Sequence, residues 1–376
     1  MSGSRRAEIA GGGIGGLATA AALARKGWQV RVHERGERLR DTGAGIYIYE
    51  NGMKVLETLG AAEAAIAGCS RATTREMRDG RNRVLSVHRW GSSGRVYSVL
   101  RQQLIEALAG AATRAGAEIV TGSEAVSATP DGTITFASGA AAEADLVVAA
   151  DGVNSRIRDG LGIATRRRNM PDGAIRLLIP KTPDEIALGD TGTTVENWQG
   201  SRRILVTPVS DTELYIALTM LDSDTTGKAT PVDVESWAAY FPHLRPLIER
   251  LGPGGRYDRF GHVKLGSWSK GRVAVLGDAA HAMPPNLGQG GGTAMMNGLA
   301  LATHLEGAAD IPAALAAWER AERPITEHTQ RMSIFFGRPA SWPVPLQRGF
   351  FNILSKSRKV GELRTRTARH IPTGTA

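Results

Sequence analysis

One cysteine, Cys69, serves a chain of 376 residues, so no internal disulfide is available and a reducing compartment, the cytoplasm, is expected. No apolar run approaches the ~20 residues that a membrane-spanning helix needs. The first residues, Met1 to Arg6, lead directly into a strand-like stretch and leave no room for a signal peptide. Aromatic residues make up only 5% of the chain, and no Lys/Arg run interleaves with them; nucleic-acid binding is not expected despite a formal net charge of +9. There is no zinc-type Cys/His cluster, so no metal site is expected. What remains is a chain with 42% hydrophobic and 22% charged residues, long enough for two domains or one large enzyme fold.

Glycine is abundant, with 46 residues, and it is concentrated where strands give way to helices. Ala7–Ala10 reads as a short strand, Gly11-Gly12-Gly13-Ile14-Gly15-Gly16 fits G-x-G-x-x-G, and a helix is expected from Leu17 to Lys26 with Gly27 as its stop. Val30, Val32 and His33 form a second strand that ends in Glu34. Strand, glycine turn, helix and strand are the context that dinucleotide binding requires. Gly11 permits the tight turn, Gly13 lets a pyrophosphate approach, and Gly16 lets the helix pack on the strand. Ile14 and Gly15 complete this cradle. Glu34 is expected to accept from ribose hydroxyls, with Arg35 and Arg40 beside it in the cofactor-binding set. At this point NAD and FAD both remain open.

Two later stretches narrow the choice. "ADLVVAADGVNSRIR" carries a strand ending in Asp151-Gly152. "GRVAVLGDAAHAMPPNLGQGGGTAMMNGLALATHLE" carries another strand, ended by Gly277-Asp278. Pro284 and Pro285 stiffen the loop beyond it, and Gly290, Gly291 and Gly292 precede a helix expected from Thr293. A second glycine-rich helix entrance suits a long cofactor gripped at both ends. Backbone N–H groups there would face developing negative charge.

These three motifs, in this order, resemble the class A flavoprotein aromatic monooxygenases. The resemblance implies non-covalent FAD, NADH or NADPH as co-substrate, and O2. Asp278 would then hold the ribitol, Asp151 would serve the cofactor region, and Arg101 of an R-x-x-L stretch would lie along the phosphates. The stretches "GAGIYIYENGMKVLETLGA", "ELYIAL" and "AMMNGLAL" narrow the similarity to 2-methyl-3-hydroxypyridine-5-carboxylic acid oxygenase and 5-pyridoxic acid oxygenase, which hydroxylate and open a pyridine ring. Within that subgroup Tyr47, Arg203 and Tyr215 match positions lining the substrate or flavin, and Arg176 sits in a matching G-x-I-R-L stretch. Pro284 is counted with Tyr215, Arg203 and Tyr47 as a catalytic candidate. Arg75 and Phe260 stand where the subgroup has pocket tyrosines, and Asn297 is an Asn that it shares.

The fold expected is α/β: a Rossmann-like FAD-binding domain (1–72, 98–168 and 266–305) with an inserted mostly β substrate domain (73–97 and 169–265) and a C-terminal helical segment (306–376), like p-hydroxybenzoate hydroxylase. Arg202 to Pro208 and Glu213 to Leu218 read as a hairpin that would bring Arg203 and Tyr215 towards each other. A helix over Ala313 to Arg331 is expected to be interrupted at Pro324. Monomer and homodimer both remain open. Three guanidinium groups, on Arg75, Arg176 and Arg203, would border one cavity without partners, which calls for a small anionic aromatic or N-heteroaromatic carboxylate as substrate. Two alternatives stay beside this reading: hydroxylation of a non-pyridine aromatic acid, and a flavin-binding oxidoreductase without oxygenase activity.

Overall fold

The computed structural model describes residues 4–39, 44–90 and 94–375, and it builds two principal sheets whose facing edges and surfaces enclose the site. The first has six strands in the order Ser269–Lys270, Val273–Val275, Leu146–Ala149, Arg6–Ala10, Gln29–His33 and Glu118–Val120. All neighbours are parallel except the two-residue edge strand Ser269–Lys270. Leu146–Ala149 and Val273–Val275 are buried along their whole length, as strands covered on both faces must be. Strand order departs in both directions from Arg6–Ala10. A crevice therefore opens between the C-terminal ends of Arg6–Ala10 and Leu146–Ala149, the switch point at which doubly wound sheets bind their ligands. The main core surrounds this sheet, with Ile9, Leu17, Leu23, Leu104, Val148 and Leu301 fully buried.

The second sheet has seven strands, in the order Tyr257–Leu265, Thr165–Pro180, Glu213–Leu221, Arg202–Pro208, Thr193–Gln199, Thr74–Asp79 and Val84–Arg89. Only Thr193–Gln199 and Thr74–Asp79 run parallel. Period-two alternation splits its side chains cleanly. Ile175, Ile204, Ile216 and Leu218 face a separate apolar core with Trp237 and Phe241. Arg75, Arg176, Glu196, Arg203, Tyr215 and Ala217 fall on the opposite face, and all of them line one cavity.

Three local expectations are corrected. The first helix starts at Ile14, not Leu17, and the later glycine helix starts at Gly290, not Thr293. Both corrections put glycines into first turns, where amides have no partner within the helix. The helix Ile311–Gly337 runs through Pro324 without interruption. Its buried stripe of Leu315, Trp318, Glu322, Ile325 and Thr329 outweighs the ~3 kcal/mol that an interior proline costs. Asp310 caps its start, accepting from the Ala313 N–H at 3.1 Å.

The tail folds back as helices Val344–Lys356 and Arg358–Thr365. Phe351 packs edge-on to Trp198, and Arg348 pairs with Asp79 at 3.0 Å. This fastens the tail to the seven-stranded sheet. Among the described residues no helix is long and apolar enough to cross a membrane.

Candidate active site

A cavity of about 450 Å³ lies between the glycine turns of the parallel sheet and the polar face of the seven-stranded sheet. Its floor is backbone. Gly13, Ile14 and Gly15 come from the first turn, Ala150 and Gly152 from the second, and Gly277, Gly290 and Gly291 from the third. Gly11 has φ +105, and a Cβ there would lie 2.4 Å from the Ala150 carbonyl oxygen. At Gly16 a Cβ would lie 2.0 Å from the Gly11 oxygen, so strand, turn and helix touch through backbone alone. At Gly13 and Gly290 an added Cβ meets nothing within 4 Å among the described residues, which leaves room for a ligand at both helix entrances. Gly291 packs on Ile46, and Gly292 lies one step further in, near Asn51 and Gln289.

The polar groups around this floor suit FAD. Asp278 is exposed and lines the cavity. Asp151 sits between two lining residues, and its buried Oδ1 has no hydrogen-bond partner among the described residues. Burial pushes its carboxyl up. Arg101 opens the helix Arg101–Arg114 and borders the same space. Glu34 accepts from the N–H groups of Gly12 and Gly36, both at 2.9 Å, which places its carboxylate against the fingerprint turn. Arg35 is exposed and outside the cavity lining, and Arg40 lies outside the described residues. Among the described residues no cluster of His, Cys, Asp or Glu could hold a metal.

The opposite wall carries the substrate candidates. The Tyr215 ring packs on Gly45, where a Cβ would come within 2.7 Å of it. Burial pushes its hydroxyl up, while the Arg176 and Arg101 guanidiniums pull it down, with burial prevailing. Arg176 lies over the Phe260 ring at 5.7 Å and only 3.8 Å from Asp258. Tyr47 donates to Thr194 at 3.3 Å and shares a short bond with Thr207, so its buried hydroxyl is tied to the sheet. Pro284 lines the cavity, with its carbonyl accepting from Ser333.

Arg203 and Tyr215 share the cavity but are not neighbours. Arg203 pairs in register with Thr219 and Tyr215 with Thr207, four residues or roughly 13 Å apart along the strand. Arg203 is not unpaired either. It donates to Asn286 at 2.9 Å and to Asp172 at 3.4 Å, lies 3.8 Å from Glu196, and stacks over Trp198 at 4.5 Å. Arg75 donates to the same Glu196 at 2.5 Å. Burial pushes the Glu196 carboxyl up, but Arg75 and Arg203 pull it down further, to a net below the usual carboxylate range. Two guanidiniums therefore face two carboxylates, and the anion once expected to compensate them is supplied by the protein.

Glu196, Asp172 and Asn286 were not among the sequence candidates. Glu196 stands two residues from Thr194, which faces Arg75, and two from Trp198, which faces Arg203. It thus meets both arginines diagonally across strands. The strand pairing, and not any local motif, creates this contact.

Behind Asp278 the short helix Asp278–His281 is pinned from below. His281 Nε2 accepts from the Asn297 amide at 3.0 Å, and the same amide reaches Thr326 at 3.2 Å. Burial pushes the His281 pKa down to about 4, so the ring is neutral in the folded state. An unfolded histidine binds its proton near pH 6.5. Between pH 6.5 and 4 the unfolded chain therefore holds more protons, and His281's contribution to stability is lost as pH falls through that window. The unfolding midpoint of the wild type is expected to fall more steeply between pH 6.5 and 4 than that of His281→Gln. Parallel curves would show that this ring is not held neutral.

Residues 6–331 match the model of the FAD binding domain family. A 2-heptyl-3-hydroxy-4(1H)-quinolone synthase of Mycobacteroides abscessus is 43% identical over 360 residues, 94% of this chain and 96% of its own. A 6-hydroxynicotinate 3-monooxygenase of Bordetella bronchiseptica is 28% identical over 354 residues, 89% of this chain and 91% of its own. The solved tetrameric form of 2-methyl-3-hydroxypyridine-5-carboxylic acid oxygenase superposes with a TM-score of 0.88 at 38% identity, covering 99% of this chain and 98% of its own.

Proposed function

The chain belongs to the FAD binding domain family and is a flavoprotein aromatic monooxygenase, and from that premise we propose that it hydroxylates a neutral N-heteroaromatic ring of the 4(1H)-quinolone type, at the carbon beside the carbonyl carbon. The observation that carries this reading is the pairing of Arg75 and Arg203 with Glu196 and Asp172. With both guanidiniums paired, the cavity holds no charge that calls for an acid at that end. A buried carboxylate placed beside Glu196 would also be repelled. The 43% identity to a quinolone synthase over nearly the whole chain supports the same ring class.

FAD, when bound, takes electrons from NAD(P)H and passes one atom of O2 to the ring, the other leaving as water. The chain's own residues prepare the ring for that transfer. Transfer of an electrophilic oxygen draws electrons from the ring, and the attacked carbon then gives up its hydrogen as a proton, the transferred oxygen taking one to become the hydroxyl. Tyr215 and Arg176 stand side by side on the wall where the ring's carbonyl oxygen would be held. The Tyr215 hydroxyl, held protonated by burial, would donate to that oxygen, and the Arg176 cation would lie against its partial negative charge, so that both hold the ring with the reacting carbon towards the flavin. Phe260 and Leu205 supply flat apolar walls for the ring.

Stimulation of NADH oxidation by 2-heptyl-4(1H)-quinolone, with a product heavier by one oxygen, is the result expected. Stimulation by 2-methyl-3-hydroxypyridine-5-carboxylate and not by the quinolone would overturn the ring assignment. Tyr215→Phe is expected to keep its flavin and to lose about 100-fold in turnover, the size of the loss when a reacting group is held out of place. Unchanged turnover in this variant would remove Tyr215 from the reaction.

A further inference from the structure

A second cavity, of about 240 Å³, lies beyond the substrate wall, between the hairpin Thr74–Asp79/Val84–Arg89 and the two tail helices. Tyr49, Arg75, Glu196, Arg203, Asn286 and Leu287 border both this chamber and the flavin-side cavity. Its other walls are largely apolar: Met77, Val87, Trp90 and Trp198 on one side, Phe351 and Val360 on the other. A dry apolar cavity of roughly 150 Å³ already admits a benzene ring. This one has room for a chain of several carbons.

The charged groups that the chamber shares with the substrate cavity are paired. Arg75 and Arg203 hold Glu196 between them. Burial, and next the Arg364 and Arg75 guanidiniums, push His88 down to about 4, so it is neutral. Arg364 stacks on Phe336 at 5.2 Å, with no carboxylate within 4 Å among the described residues. Burial pushes its pKa down to about 10, the mark of a surrounding poor in water.

We propose that this chamber binds an aliphatic substituent of the substrate ring, entering past Asn286 and Leu287, and that the tail helices make the enzyme selective for long-chain substrates. The proposal rests on the reaction proposed above. It also gives the C-terminal segment a function: without helices Val344–Lys356 and Arg358–Thr365 the chamber loses the wall that Phe351, Val360 and Arg364 form.

Each methylene moved out of water is worth about a fourfold gain in affinity. Dissociation constants of 2-methyl- and 2-heptyl-4(1H)-quinolone, read from the perturbed flavin absorbance of the oxidised holoenzyme, are expected to differ at least tenfold in favour of heptyl. Val360→Trp and Ser86→Phe fill the chamber from opposite walls. Each is expected to weaken heptyl binding and raise its KM at least tenfold, while leaving the methyl homologue within twofold and kcat unchanged, as loss of uniform binding requires. Equal affinity of the two homologues for the wild type overturns the chamber assignment while the reaction stands. So does unchanged heptyl binding in both variants. Tighter binding of an analogue whose chain ends in a carboxylate would show instead that Arg364 reads an acid, and would also overturn it. Failure of both homologues to bind sinks the reaction reading and this proposal together.

Discussion

Gly16→Ala should purify without its flavin. The added Cβ would lie 2.0 Å from the Gly11 carbonyl oxygen and 3.5 Å from Ala150 Cβ. The contact with Ala150 is an ordinary one, but the Gly11 carbonyl cannot yield easily. Gly11 is itself wedged against the Ala150 carbonyl, and Ala150 ends a strand bonded on both sides. The helix Ile14–Arg25 must therefore retreat from the strand, taking with it Ile14 and Gly15, which line the cofactor cavity. Overpacking of this kind costs about 1–3 kcal/mol in stability. The loss in cofactor affinity should be larger, about 100-fold or more, because every amide of the first turn shifts at once. Gly13→Ala is the informative partner. Its Cβ meets no atom within 4 Å among the described residues, so the apoprotein should unfold at the wild-type temperature, yet flavin binding should weaken because the new methyl enters the cradle. Stoichiometric flavin in purified Gly16→Ala would mean that this turn does not hold the cofactor.

The fingerprint around Gly11 to Gly16 is legible in the sequence because everything it needs is local: a strand, a turn and a helix in consecutive residues. The hairpin of Arg202–Pro208 and Glu213–Leu221 is legible for the same reason. Helix starts are less so, since glycine at Gly290 to Gly292 reads as a breaker until the buried face beyond it, Thr293 to Leu305, is seen to hold the helix together. Pro324 misleads in the same way. Side-chain reach is the harder problem. That Arg203 and Tyr215 lie on one hairpin says nothing of their being four residues apart in register. The carboxylate between Arg75 and Arg203 comes from a strand over 100 residues from Arg75, brought beside it by a parallel pairing that no local pattern announces. The tail chamber is of this kind too, being assembled from the hairpin at Thr74–Arg89 and helices beyond Val344.

The charge logic of the site makes Glu196→Gln the most telling substitution after the glycines. The wild-type carboxylate is buried and lies within 4 Å of both guanidiniums. Among the described residues, removing its charge leaves Arg75 without a carboxylate within 4 Å and Arg203 with Asp172 alone, whose own carboxyl burial pushes up against Arg203's pull. Breaking a buried pair in this way costs about 3–5 kcal/mol, so the variant should unfold several degrees below the wild type. The pH dependence should change with it. Glu196's folded pKa is depressed, so its contribution is present above the unfolded value near 4.5 and is lost as pH falls through the folded one. The wild type should therefore lose stability on the acid side of pH 4.5 by an amount that the glutamine variant does not. The variant also acquires an unpaired cation at Arg75, which the wild-type Glu196 neutralises. A small aromatic carboxylate such as benzoate should bind it and restore stability, by about 2.7 kcal/mol at a hundred times its Kd, while leaving the wild-type midpoint unmoved. An unaltered midpoint in Glu196→Gln, with no response to benzoate in either protein, would show that Glu196 does not neutralise the site. The preference for a neutral ring would then lose its physical basis, and an acid would again be the substrate to expect.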